Sequence, residues 1–292
     1  MTEGATSPDS RGTLYLVATP IGNLGDVTQR ALDVLRQVPL VAAEDTRITR
    51  RLFDRYEIST KTVSYHARSG SARLEQLLDH LRAGGDLALV TDAGTPVVSD
   101  PGDELVRAWA AEGGEVIALP GASAVLAAVA ASGVAGPRWS FEGFLPRSGR
   151  ARRERLARMA ADPRGCVIFE APGRVAATLE DLAAECGADR PAAVSRELTK
   201  VHETTVRGTL GELAAAASEG AIPARGEFVI VVGSIEAAEG KDAQSTSTLE
   251  AARHEVERLV ASGVARGEAA RQISASTGVP RRQIYGTAAR ER

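Results

Sequence analysis

Four groups of residues concentrate the small and polar side chains that could bind or activate a small molecule. They are residues 19–26 (TPIGNLGD), 91–102 (TDAGTPVVSDPG), 120–124 (PGASA), and in the second half 169–172 (FEAP) with 195–200 (SRELTK). Each follows an apolar run that reads as a strand, and open α/β sheets bind ligands at the carboxyl ends of their strands. In the first group, Gly22 and Gly25 let backbone approach a ligand closely, and Asp26 can cap the helix that follows. The second has more turn formers than a simple connection needs, so it presents backbone N–H and C=O groups and a carboxylate, Asp92. Its far end, with Asp100 and Pro101, reads as a helix cap with proline at the first helical position. The third looks like a nucleophile elbow but lacks G-x-S-x-G, so Ser123 reads as an N-cap. Arg196, Glu197 and Lys200 fit either a surface ion network or a cleft between two halves, and spacing leaves both open.

Several chemistries are disfavoured. Glu44 and Asp45 stand about where a dinucleotide fold keeps its ribose-binding acid, but the glycine pattern is G-x-x-G, which argues against a nicotinamide enzyme. The acidic residue and G-x-G-x-G loop of Rossmann methyltransferases are missing too. His66, His80, His202 and His254 show no ligand spacing, and no metal is indicated. Cys166 and Cys186 cannot build a disulfide framework, which suits a reducing, cytoplasmic setting.

The elements that position these groups follow from periodicity. Apolar runs at 14–18, 40–43, 62–64, 87–90 and 115–119 read as strands, alternating with helices over 26–38, 47–56 and 71–83, another beginning after Asp100, and a buried helix over 123–131. A second series has strands at 139–143, 166–170, 192–196 and 227–232, with helices at 149–160, 175–186 and 210–218. Gly187 supplies a C-cap. The chain is therefore expected to be α/β: a flexible stretch 1–11, α/β domains over 12–122 and 123–235, a linker at 236–248, and a small helical basic domain at 249–292. At 292 residues, 43% apolar and 25% charged, it is ordinary for a soluble two-domain protein. The polar start argues against export, and the most apolar stretch, 116–135, is broken by Pro120-Gly121 and Ser132-Gly133, so no membrane partner is expected.

Although the net charge is −3, residues 147–164 carry seven arginines against Glu154 and Asp162, and residues 251–292 carry eight against four glutamates. Two such patches suggest phosphate contacts. The tail has a helix–turn–helix pattern, compatible also with a cap or dimer contact.

Seven ordered motifs, LYLVATPIGNLGD, AAEDTR, LVTDAGTPVVSDPG, LPGAS, FEGFLP, FEAPGR and SRELTKVHE, spread over residues 12–235. Together they resemble the tetrapyrrole-methylase superfamily, and within it the ribosomal RNA small subunit methyltransferase I family. The resemblance implies two α/β domains enclosing S-adenosylmethionine, a homodimer, and 2′-O-methylation of a cytidine ribose in 16S rRNA or the small ribosomal subunit. By position it implies cofactor contacts from Pro20, Asp92, Gly94, Thr95, Pro96, Ser123, Ala124, Phe169, Ser195 and Glu227. Lys200 and Glu170 are the candidates for favouring alkoxide character on the ribose oxygen. Asn23, Arg47, Arg152, Arg153, Arg281 and Arg282 are the candidates for RNA contact. The competing readings are a methylase of tetrapyrrole precursors on the same fold and a non-catalytic RNA-binding assembly factor.

Overall fold

The computed structural model describes residues 11–235, 251–277 and 279–284. Most of the expected first and linker segments therefore lie outside the described residues. Among those described, two five-stranded sheets are built.

The first sheet comprises β1 (Leu14–Val17), β2 (Leu40–Ala43), β3 (Thr62–Ser64), β4 (Leu87–Val90) and β5 (Val116–Leu119), in the order β3-β2-β4-β1-β5. All its pairings are parallel. Such a sheet is covered on both faces, so its inner strands read as unbroken apolar runs, as in the fully buried LALV of β4. Its helices are α1 (Gln29–Gln37), α2 (Thr46–Tyr56), α3 (Ser71–Arg82) and α4 (Asp103–Ala111). Apolar clusters around Leu32, Leu35 and Phe53 and around Leu77, Leu105 and Trp109 fill the spaces between helices and sheet.

Two expected helix starts move. Asp26 belongs to a short 3-10 turn (Leu24–Asp26) capped by Asn23, and Thr28 caps α1 by accepting from the Ala31 N–H at 3.2 Å. Likewise α4 begins at Asp103 after Gly102, whose φ of 127° winds the chain in a way Asp100 and Pro101 could not continue as helix. Asp100 is thereby released from the capping role the sequence suggests.

The connecting helix α5 (Ala124–Ser132) is capped by Ser123 and ends on left-handed Gly133. The second sheet comprises β6 (Trp139–Phe144), β7 (Gly165–Glu170), β8 (Pro191–Arg196), β9 (Thr204–Thr209) and β10 (Phe228–Val232), ordered β6-β7-β10-β8-β9. Only the β6–β7 pair is parallel. The sequence does not announce β9, because this half-exposed edge strand reads TTVRGT with Val206 as its one large apolar residue. Helices α6 (Gly149–Ala161), α7 (Val175–Cys186) and α8 (Leu210–Ser218) pack on one face through Leu156, Leu179 and Leu210. On the other, α5 sets Val125 and Ala128 against Val167, Ala193 and Val229, and Ile21 of the first lobe joins the same cluster. Contrary to expectation α5 is not buried all round: Leu126 is 59% exposed.

Beyond these lie α9 (251–261), α10 (Arg266–Thr277) and α11 (Arg281–Ile284), gathered on their own cluster around Val256, Ala269 and Ile273. No helix among the described residues is long and apolar enough to cross a membrane.

Candidate active site

In the order β3-β2-β4-β1-β5 the chain leaves β1 toward β2 on one side and leaves β4 toward β5 on the other. Connections departing in opposite directions from adjacent strands open a crevice at their carboxyl ends. The two loops bordering it are joined: the Thr19 N–H donates to the Gly94 carbonyl and the Gly94 N–H returns to Thr19, each at 2.9 Å. Thr19 Oγ1 donates to the Thr91 carbonyl at 3.0 Å, and Thr95 Oγ1 to the Ala122 carbonyl at 3.2 Å. The facing wall comes from the second sheet, where Phe228 at the start of β10 pairs with Glu170 at the end of β7 and Arg196 at the end of β8. The walls touch at Gly22, where a methyl group would lie 2.5 Å from Lys200 Cγ and 2.8 Å from Thr199 Oγ1.

Backbone strain gathers in these loops. Among the described residues five non-glycines have positive φ, and four of them, Val97, Ser99, Glu197 and Thr199, lie in the loops after β4 and β8. Valine and threonine rarely adopt this conformation, so the surrounding structure must impose it, as at sites built for function.

Two adjoining cavities occupy the cleft and share Ile21, Ala93 and Glu227. The inner one, about 350 Å³, is walled by Val98, Val125, Phe144, Phe169 and Phe228, by Gly94, Thr95, Ser123 and Ala124, and by Asp100, Glu170 and Glu227. Among the described residues no lysine or arginine lines it. The second chamber, about 420 Å³, is bordered by Pro20, Gly22, Leu24, Ile48, Arg51, Leu52, Asp92 and Lys200. Both volumes fall in the range of small-molecule sites.

The fold that frames this cleft recurs in solved proteins, and residues 13–214 match the family model of Tetrapyrrole (Corrin/Porphyrin) Methylases. The chain belongs to that family. Within it, the chain belongs to the ribosomal RNA small subunit methyltransferase I group. It is 46% identical to the Ribosomal RNA small subunit methyltransferase I of Synechocystis sp. over 274 residues, 94% of this chain and 96% of that one. The protein of the same name from Xylella fastidiosa is 42% identical over 275 residues, 94% of this chain and 98% of that one. Among solved structures, a cobalt precorrin-4 methyltransferase of cobalamin biosynthesis superposes with a TM-score of 0.59 at 20% identity, covering 77% of this chain and 95% of its own. The Thermus thermophilus uroporphyrin-III C-methyltransferase complexed with S-adenosyl homocysteine gives 0.54 at 22%, covering 77% and 98%. These two likenesses speak for the fold.

In this tetrapyrrole methylase the residues singled out from sequence separate into groups. Gly94, Thr95, Ser123, Ala124, Phe169, Glu170 and Glu227 line the inner cavity, while Pro20, Asp92, Lys200 and again Glu227 line the second chamber. Pro96 lines neither cavity. Ser195 is fully buried, with its hydroxyl 3.0 Å from that of Thr205, so it supports β8 rather than facing a ligand. Ser123 is the expected cap and also a wall, accepting from the Leu126 N–H at 3.4 Å.

Glu170 and Arg152 need correction together. Glu170 accepts from the Ala171 N–H at 2.8 Å and from Thr178 Oγ1 at 2.7 Å, with Arg174 Nε 3.4 Å away. Both oxygens are engaged and the side chain is fully buried, so it anchors the wall instead of accepting a proton from substrate. Arg152 is buried behind it, donating to Thr178 at 2.9 Å, to Asp181 at 2.8 Å and to the Pro146 carbonyl at 3.1 Å. It is therefore not an exposed RNA contact. Arg153, Arg281 and Arg282 are exposed, away from the residues lining either cavity. Asn23 is exposed, its side chain accepting from the Gly25 N–H, and Arg47 forms an ion pair with Asp45 at 2.6 Å.

Lys200 Nζ donates to Glu197 at 2.8 Å and Glu227 at 2.9 Å. Burial opposes its charge, but the two carboxylates hold its pKa above the ordinary value, so it is a cation rather than a base. Three carboxylates near the cleft are also raised, which for an acid disfavours the charged form. Asp100 is pushed up to about 6 by burial, with Glu44 and Asp92 adding repulsion. Burial likewise raises Asp92 and Glu44, which are braced by the Asp45 and Asp92 N–H groups. Asp100 and Arg51 are the site residues that sequence reading passed over. The sequence around Asp100 reads as a helix cap, and Arg51 shares a helix whose candidate for RNA contact is Arg47.

Proposed function

We propose that the chain transfers a methyl group from S-adenosylmethionine to the ribose 2′-hydroxyl of a cytidine in 16S rRNA. The observation that carries this reading is an inner cavity rich in carboxylates, with no lysine or arginine among the described residues that line it, adjoining a second chamber lined by Lys200. A phosphate-bearing cofactor would be repelled by Asp100, Glu170 and Glu227, whereas an adenosine with a cationic sulfur and amino group is suited by apolar walls, backbone polar groups and carboxylates. The residues thus fit S-adenosylmethionine. Gly94, Thr95, Ser123, Ala124 and Phe169 would hold its uncharged parts, and Asp100 would face its positive charge.

When bound, that cofactor supplies an already activated methyl group. The remaining task is alignment, which can be worth ~7–11 kcal/mol. Pro20, Gly22 and the walls of the second chamber would position the ribose. Lys200, kept protonated by Glu197 and Glu227, would stabilise negative charge on the ribose oxygen as its proton passes to solvent water, while Glu170 keeps the facing wall in place. A homodimer acting in the cytoplasm belongs to the same reading, supported by exposed Leu126 on α5 and by two cysteines outside any disulfide.

The test is incubation with methyl-labelled cofactor and small-subunit RNA, followed by nucleoside digestion. Labelled 2′-O-methylcytidine is expected; label confined to a base, or none, overturns the proposal.

A further inference from the structure

We propose that the exposed arginines of α2, Arg51 first and Arg55 one turn on, form the track that grips the RNA backbone beside the reacting nucleotide. This rests on the functional reading above and adds where the polymer runs. Helix α2 (TRITRRLFDRY) carries Arg47, Arg50, Arg51 and Arg55, all exposed, against the single acid Asp54. Arg47 is held by Asp45 and Arg50 by Asp54 at 2.7 Å. Arg55 lies over the Tyr56 ring, 5.7 Å from its centroid, which leaves its charge unneutralised. Among the described residues Arg51 has no carboxylate partner, yet it lines the second chamber. The other cation there, Lys200, is already paired with two glutamates. Arg51 is thus the cation in this chamber available to an incoming anion.

Its surroundings indicate what kind of anion. Leu24 and Ile48, 39% and 38% exposed, border the same chamber, so apolar surface for a nucleoside lies beside a free guanidinium. Tyr56 donates to the Leu24 carbonyl at 2.7 Å, fixing that wall to the end of α2. Arg55 follows Arg51 by four residues, about 6 Å along the helix and on the same face. A mononucleotide in the chamber would use only the first. Two cations in line leading out of the chamber suit a chain of phosphates, and guanidinium groups match phosphate oxygens in geometry.

The experiment measures binding and methylation of in vitro transcribed 16S rRNA by the full chain at several salt concentrations, for wild type, Arg51→Gln, Arg51→Lys and Arg51→Gln/Arg55→Gln. Arg107→Gln, on α4 and paired with Asp103, serves as the control for lost charge. Each phosphate contact contributes about 0.7 to the slope of log affinity against log salt for a single strand. The double variant is expected to lose about 1.4 of that slope and to raise KM for RNA on the order of tenfold. Its kcat at saturating RNA, melting temperature and calorimetric affinity for S-adenosylmethionine should stay within about twofold or unshifted. Arg51→Lys should restore most of the slope, and Arg107→Gln should match wild type. A double variant with wild-type KM and slope, while wild type methylates the RNA, overturns this inference alone. Wild type that neither binds nor methylates the RNA overturns the functional reading and this inference with it.

Discussion

Asp100 shows how much a single carboxylate can depend on its loop. Its sequence neighbours, Ser99 and Pro101, suit a helix cap, but the left-handed turns at Ser99 and Gly102 carry it into the inner cavity. Its pKa of about 6, against 3.8 for a free aspartate, makes two predictions with definite signs. Between those values the folded chain binds a proton that the unfolded chain does not, so Asp100 adds stability as pH falls through 6. A cationic cofactor requires the ionised form, so its affinity should weaken over the same window. Calorimetry at pH 8 and pH 5 should show weaker binding at pH 5 for wild type and a much smaller difference for Asp100→Asn; identical profiles would remove Asp100 from the cofactor's surroundings. For Lys200, substitution by alanine should lower kcat by about 10²-fold while cofactor affinity changes little, as measured by single-turnover transfer. Comparable turnover would leave Lys200 only as the contact between Gly22 and the second lobe. At this scale the loops were legible in the sequence, because residues 19–26 and 91–102 carry more glycine, proline and threonine than a connection from strand to helix needs. The partners of each charge were not, because Arg152 and Arg153 are neighbours in sequence and opposites in burial.

Among the elements, α6 and α7 are held together by the chain from Asp181 through Arg152 to Thr178 and Glu170. Arg174 adds bonds to the Leu145 and Pro146 carbonyls, so the corner after β6, which carries Phe144, is fastened to the corner after β7. Removing Arg152 strands the Pro146 carbonyl after β6 and the Thr178 and Asp181 side chains on α7. Arg152→Ala is expected to cost about 2–3 kcal/mol in denaturant unfolding, with the salt dependence of RNA binding unchanged. A stable variant with a flattened slope would return Arg152 to the RNA surface. The strands and most helices could be read from apolar runs and caps. The edge strand β9 could not, since its pairing with β8 comes from main-chain bonds that leave little trace in side-chain pattern. The start of α4 escapes the sequence pattern for a related reason: Gly102, which sets it, packs against Leu89 of β4.

For the molecule as a whole, the division of labour follows from which clusters share residues. Ile21 packs with α5 and the second sheet, so the two lobes share apolar core beside the cleft, whereas α9, α10 and α11 are gathered on their own. A chain ending at residue 235 is therefore expected to keep its cofactor affinity by calorimetry, and to show a flatter salt dependence of RNA binding if the tail arginines touch phosphates. An unchanged slope would assign the tail to another task. The central claim is that the crevice between the sheets receives the methyl donor. A crystal grown with S-adenosylhomocysteine tests it most directly. Density is predicted in the inner cavity, among Gly94, Ser123, Phe169 and Asp100, with its sulfur toward the second chamber. A ligand bound elsewhere, or a cavity closed by side chains, would contradict the account.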